Sequence, residues 1–522
     1  MKQQIKIYSM LLTATIALSC SGEFLNLSSN TEISSATLYK SEEDVKLVVN
    51  GVYKQLQSNS IYGGSFNTGG VCSIVEYDSF TDNTWNWYLQ VGPGALTRGE
   101  ADPANAFFYN TWSAHYRGIA RCNDAISNIE KMDEALIKTE SKQAYLGQLY
   151  FLRALFYFNL AVYYDEVPLL VVPQTLENPY PVKNSQQAVF EQVISDLNFA
   201  VDVLPVVYPA ELIGYATQGA ALGLLARVEL YTGNWRAVDE LTRKIIDLGI
   251  YNLDFPYDRQ FTPEGELSGD VVFSVRFDDM PGFNVGELFS RTQTGMADPT
   301  HQPLANLVND YYCVDGLPVS TSPLFSQDNE KLDRDPRLLA TIYFNGDQFN
   351  LDLPNLKVNT LTGYGVRKYV RDQVTDKGTM LNQAGGQDYY LIRYADVLLM
   401  RAEALIEQDK DFVEAASLIN QVRDRVGMPA IENAEGDGLP QSELRAILRH
   451  ERRVEFALEG LRFLDLKRWE LVEEAYSIAN IDAEEIPSMP SYVYRGVRSE
   501  VFPVPQRELD ANPNLDQHDA WK

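Results

Sequence analysis

Arg449-His450-Glu451-Arg452-Arg453-Val454-Glu455-Phe456-Ala457-Leu458-Glu459-Gly460-Leu461-Arg462-Phe463-Leu464-Asp465-Leu466-Lys467-Arg468-Trp469 packs seven basic groups and four acidic ones into one short run. Val454, Leu458 and Leu461 recur at helical spacing, and Leu461, Leu464 and Arg468 continue the stripe beyond Gly460. An isolated glycine permits a break, so the run reads as two short helices or one bent helix. Glu451 and Glu455 stand four apart, on one helical face. A zinc-protease motif would need a second histidine four residues after His450, and that position is Val454. The charges therefore read as partners for neighbouring helices in a helical array, not as a catalytic centre.

Outward from this run the chain keeps the helical period. Ser41 followed by Glu42, Glu43 and Asp44 starts a helix whose stripe is Val45, Val48, Val49, Val52 and Leu56. Helix resumes near Pro103 and runs to Ile129. Tyr145 to Tyr164 is apolar nearly all round, which places it between other helices, and Pro168 ends it. Ser185 to Leu204 is amphipathic and closes at Pro205. Two stretches then look like copies of one unit: Leu222–Tyr231 with Trp235–Leu248, and Tyr394–Glu407 with Phe412–Val426. Small residues (Ala226, Ala402, Ala404) in each first helix let the pair approach, and such a hairpin buries its face only by stacking on a neighbour.

Residues 249–388 are rich in Gly, Pro, Asp and aromatics, with strand-like runs such as Val271-Val272-Phe273-Ser274-Val275. A structureless insert of that length does not suit a compact domain, so it reads as an irregular region with a few strands packed on the helices. The expected fold is mostly α. Tetratricopeptide-like hairpins form a solenoid scaffold over 41–248 and 389–474, with the insert at 249–388 and a C-terminal segment at 475–522, all in one domain.

Composition excludes several classes. A hydrophobic content of 45% belongs to a folded protein. A net charge of −28 argues against nucleic acid and against a basic patch on anionic lipid. Met1 to Lys6 is a short basic region, and Ile7 to Leu18 is apolar but too short to span a bilayer, so residues 1–19 read as a signal peptide. Ser19-Cys20 after it matches a lipoprotein signal, with Cys20 lipidated and residues 20–40 as a tether. Cys72, Cys122 and Cys313 allow at most one disulfide, match no zinc or redox spacing, and read as core thiols. No G-x-S-x-G, P-loop, H-E-x-x-H or dinucleotide fingerprint is present, so no enzyme and no cofactor is expected. The metal question stays open, since Asp328 to Asp335 lacks EF-hand spacing.

Six segments, in order along the chain, resemble the RagB/SusD family of outer-membrane nutrient-binding lipoproteins. They are Trp112 to Ile119, Leu149 to Tyr157, Asp333-Arg334-Asp335-Pro336-Arg337-Leu338, Arg393 to Ala404, the opening run, and Phe502-Pro503-Val504-Pro505-Gln506 with Asn512 to Leu515. The resemblance implies a single SusD-like domain anchored to the cell outer membrane by lipid and facing outward. It implies capture of oligosaccharides, with delivery to a partner SusC-like TonB-dependent transporter. A peptide-binding member of the same machinery is the alternative, and a glycoside hydrolase with unrecognised carboxylates is the third reading.

Carbohydrate recognition needs flat aromatic faces for sugar rings and planar polar groups for hydroxyls. Glu76-Tyr77-Asp78-Ser79-Phe80-Thr81-Asp82-Asn83-Thr84-Trp85-Asn86-Trp87-Tyr88 offers both in a loop-like context. Trp85, Trp87, Tyr88, Asp82 and Asn83 are therefore candidate ligand residues, with the alternative that Trp85 and Trp87 anchor the loop to the core. Tyr311 and Tyr312 in the insert are the second candidate pair. His115 reads as a packing residue, and His301 and His518 stand apart from any nucleophile pattern.

Overall fold

The computed structural model describes residues 38–64, 72–87, 92–177, 179–278, 286–290, 301–348, 357–370 and 385–522. The signal segment 1–19, Cys20, most of the tether 20–40 and Tyr88 lie outside the described residues. Helix makes up 53% of the structure and strand 7%, so helix packing rather than sheet pairing carries the fold.

Helix α1 (Glu42–Tyr53) starts where Ser41 Oγ accepts from the Asp44 N–H at 3.2 Å, and it buries Val45, Val49 and Val52. Helices α2 (Ala106–Glu130), α3 (Thr139–Tyr164), α4 (Gln186–Val203), α5 (Gln218–Tyr231), α6 (Trp235–Asp247), α7 (Tyr394–Glu407) and α8 (Phe412–Asp424) follow, each packed on the next. The all-round apolar α3 lies between α2 and α4, buried from Phe151 to Tyr164. It stops at Asp165, whose φ of +66° leaves the helical region three residues before Pro168. Both expected hairpins form. The first begins four residues earlier than the apolar pattern indicates, because Thr217 caps it through the Ala220 N–H at 3.2 Å. The second turns at Asp411, which caps Glu414 at 3.1 Å. Ala226, Ala402 and Ala404 are fully buried, as close helix pairing requires.

Although the insert separates them in sequence, α6 packs directly on α7. Strand β2 (Val271–Val275), at the start of the insert, pairs antiparallel with β6 (Tyr389–Arg393) at its end, in the register Val271↔Arg393 to Val275↔Tyr389. This ladder closes the insert at its base, so the chain leaves and rejoins the helical array at one place. Within the excursion, β4 (Ile342–Phe344) pairs with β5 (Tyr364–Val366), and β3 (His301–Pro303) reaches out of it to pair with β1 (Thr84–Asn86) from the N-terminal part of the chain.

Helix α9 (Gln441–Phe456) and helix α10 (Arg462–Arg468) are the two halves of the opening run, with α11 (Val472–Glu485) after them. Leu458 (φ +67°) and Gly460 (φ +74°) make the break. Asp78 clasps it, accepting the Leu458 N–H at 2.7 Å and the Gly460 N–H at 3.1 Å. A Cβ on residue 460 would run into the Ile74 carbonyl oxygen, so glycine serves both the φ and the contact.

One large core runs along the helices. Two smaller ones tie the excursion to it: Tyr311, Leu338, Ile342 and Val366 pack on Val454 and Leu458, and Trp85 and Leu304 pack on Leu466, Val472 and Tyr476. Cys72, Cys122 and Cys313 are free and buried.

Candidate functional site

The aromatic segment begins with a turn that folds itself. Ser73 and Glu76 form a capping box, with the Ser73 N–H donating to Glu76 at 2.6 Å, and residues Ile74–Phe80 wind into a buried 3-10 helix of about two turns. Asp82 follows, fully buried against Arg453 and Arg462, each at 2.9 Å. Burial alone would raise its pKa, but the two guanidiniums outweigh burial and hold it below the ordinary range. Asn83 donates to Asp78 at 2.9 Å and accepts from Arg453 at 3.0 Å.

These contacts set β1 on the break between α9 and α10. Trp85 then points inward, 2% exposed, with its indole N–H unpartnered. Trp87, just past the strand, is 40% exposed and meets Trp85 edge-on, with ring centroids 5.6 Å apart at 65°. In the insert, Tyr311 is fully buried and donates to the Val454 carbonyl at 3.2 Å. Half-buried Tyr312 stacks on His450 at 3.9 Å. Asp82, Asn83, Trp85 and Tyr311, expected as ligand contacts, are thus inside the fold. Arg453 needs the first two as partners, and the last two fill satellite cores. Trp87 and Tyr312 are the described candidates that reach solvent.

His301, expected to stand apart, does not. It lies opposite Asn86 in the β1–β3 register, shares a short hydrogen bond with Ser79 Oγ, and brings Nε2 to 3.8 Å from Glu76 Oε1. Ser79, His301 and Glu76 are all buried, so the row offers no hydroxyl to a substrate and instead fastens β3 to the turn. No local signal could reveal it, because Ser79 and His301 are far apart in sequence. His115 is a packing residue: it is fully buried in α2 and bonded to the Thr111 carbonyl at 2.7 Å. Burial lowers its pKa to about 4, so it is neutral.

Beneath the excursion lies a charge network built on Glu451 and Glu455. Arg337 from the insert meets Glu451 at 2.5 Å, Glu455 at 3.1 Å and Asp335 at 2.7 Å. Arg393 at the end of β6 meets Glu455 at 2.9 Å, Asp270 at 2.8 Å and Glu459 at 2.8 Å. Arg423 and Arg425, at the end of α8, meet Glu451 and Glu455 respectively. Burial pushes the Glu455 carboxyl up, but Arg425, Arg393, Arg337 and Lys368 together pull it far below the ordinary range. The charges of the opening run therefore join insert to helices. Among the described residues, no group of three or more His, Cys, Asp or Glu side chains is placed to hold a metal ion.

Fold and site together define a helical-repeat scaffold that displays aromatic surface where the 72–87 segment meets the irregular excursion. Comparison with known proteins agrees. The SusD family model matches residues 273–521, and a second, described as starch-binding and associating with the outer membrane, matches residues 23–230. The chain is 26% identical to a SusD-like protein of Formosa agariphila over 99% of both chains. It resembles the solved structure of a SusD-like carbohydrate-binding protein of Bacteroides fragilis, with a TM-score of 0.78 and 26% identity, covering 91% of this chain and 99% of that one. A second SusD-like structure from Bacteroides fragilis has a TM-score of 0.77 at 23% identity, covering 93% and 98%. The chain belongs to the SusD family.

Proposed function

We propose that this protein captures oligosaccharides at the outer membrane, held there by lipid on Cys20, and delivers them to a SusC-like TonB-dependent transporter. The observation that carries the reading is Trp87. This large indole stays 40% exposed, and Trp85 braces it edge-on. A braced flat ring suits stacking on the apolar face of a pyranose, because little side-chain entropy remains to be lost on binding. Tyr88 follows Trp87 directly in sequence, and Tyr312 supplies a second accessible aromatic. Asp82, Asn83, Trp85 and Tyr311 are assigned the supporting role of holding those rings in place. The description of a family match as starch-binding and the carbohydrate-binding relative both favour a glycan over a peptide.

Native affinity gels against a panel of neutral polysaccharides, with calorimetry on a peptide mixture, test this. Retardation by one glycan class, weakened at least about tenfold by Trp87→Ala, supports both ligand and site. Heat on peptide addition with no glycan retardation rejects the glycan. Release of reducing sugar would replace binding with hydrolysis.

A further inference from the structure

On the side formed by α1, the 206–217 loop and β2, two adjoining hollows of about 310 and 300 Å³ share Ile213, Gly214, Tyr215, Ser274 and Arg276. They share no residue with the Trp87 surface. Tyr215 stands between Tyr53 and Tyr208, with ring centroids 5.3 and 5.8 Å away. The hydroxyls of this trio are turned to the protein: Tyr53 bonds Gln148, Tyr208 accepts from Gln148 at 2.6 Å, and Tyr215 bonds Asn50. What the trio offers the cleft is therefore ring surface. Val207, Ile213 and Leu267 form an apolar rim, 62%, 46% and 68% exposed.

The floor is polar. Arg276, its side chain 40% exposed, is held by Asp388 at 3.2 Å. Glu266 accepts the Asp388 N–H at 3.0 Å through one oxygen. Gly214, at φ +106°, lets the 206–217 loop close over Arg276, since a Cβ there would lie 2.8 Å from Arg276 Cγ. Aromatic faces beside one guanidinium and one carboxylate suit a ring that is apolar on its face and hydroxylated at its edge. A lipid chain would cover Arg276 and Glu266 with nothing for their free polar atoms to bond, and a phosphate-bearing ligand would meet Glu266.

We propose that this cleft is a second carbohydrate-binding site, engaging a sugar ring through Tyr215 and Tyr208 and its hydroxyls through Arg276 and Glu266. The proposal rests on the glycan reading above but not on Trp87. Calorimetry of the intact chain with maltoheptaose, laminariheptaose and xylohexaose tests it, alongside Trp87→Ala, Tyr215→Ala and Ile213→Trp. The last fills the cleft from an exposed rim position and leaves the core untouched, and thermal melts confirm that each variant is folded. The expected result is a wild-type stoichiometry of about two. Trp87→Ala would lower it to about one, and the remaining binding would weaken about tenfold or more when either cleft change is added. Loss of all binding in Trp87→Ala overturns the cleft and leaves the glycan reading intact. Binding untouched by both cleft variants also overturns it. Binding that survives Trp87→Ala unchanged but falls in both cleft variants upholds the cleft and removes Trp87. No heat with any of the sugars overturns the cleft, while retardation by another polysaccharide would still uphold the glycan reading.

Discussion

Replacing Glu455 by Gln tests whether the charge network holds the insert to the helices. Glu455 is fully buried and receives guanidinium hydrogen bonds from Arg337 at 3.1 Å, from Arg393 at 2.9 Å and from Arg425. Glutamine keeps the shape and one acceptor oxygen but removes the charge that three cations face. Removing one partner of a buried ion pair costs about 3–5 kcal/mol, because the other charge is left uncompensated. Three such losses do not add, since Asp270, Asp335, Glu451 and Glu459 still face the same guanidiniums. The expected loss is therefore about 3–5 kcal/mol in total, read as a lower urea midpoint at neutral pH with an unchanged slope. Glu240→Gln, which breaks an exposed pair with Arg236, should leave the midpoint where it is. The sign of the pH dependence follows from the depressed folded pKa of Glu455. Its stabilisation is present above the unfolded value of 4.5 and is lost progressively as pH falls from there through the much lower folded value. Wild type and variant should thus converge on acidification. An unchanged midpoint, or a gap that does not narrow as pH falls below 4.5, would refute the assignment.

Further outcomes follow from other contacts. Trp87→Ala should melt with wild-type stability while weakening glycan binding; Trp85→Ala should cost about 3–5 kcal/mol and weaken binding as well, because the brace goes with the core residue. Gly460→Ala should destabilise by more than the 1–2 kcal/mol or so of a left-handed residue, since its Cβ meets the Ile74 carbonyl; a smaller effect in urea unfolding would count against that contact. Burial, helped by Glu266, raises the Asp388 pKa from 3.8 to about 7. The stabilisation from its bound proton is complete below 3.8 and lost as pH rises through 7, so Asp388→Asn should flatten the fall in stability between pH 4 and 7, by at most about 4 kcal/mol.

The candidate site was partly legible before folding. Aromatics alternating with Asp and Asn marked residues 76–88 as unusual, and Tyr311-Tyr312 marked a second spot. Which of Trp85 and Trp87 faces outward was not readable, because they stand two apart, on one face of any regular strand. The strand stops at Asn86, and that one-residue difference sends one indole into a core and the other to solvent. The roles of Asp82 and Asn83 were hidden for another reason: Arg453, which claims them both, lies on α9.

The sequence alone determined the helices, since a 3.6-residue apolar period and capping residues act over one or two turns. Small residues and a short polar link specified the hairpins, and Gly460 marked the break in the opening run. Only the tertiary structure decided what the charges of that run do. Glu455 finds Arg337, Arg393 and Arg425 on three separate segments, and His301 finds Ser79 across the β1–β3 pairing. Pairing between distant segments depends on which chain ends the packing brings together, and no local pattern encodes that.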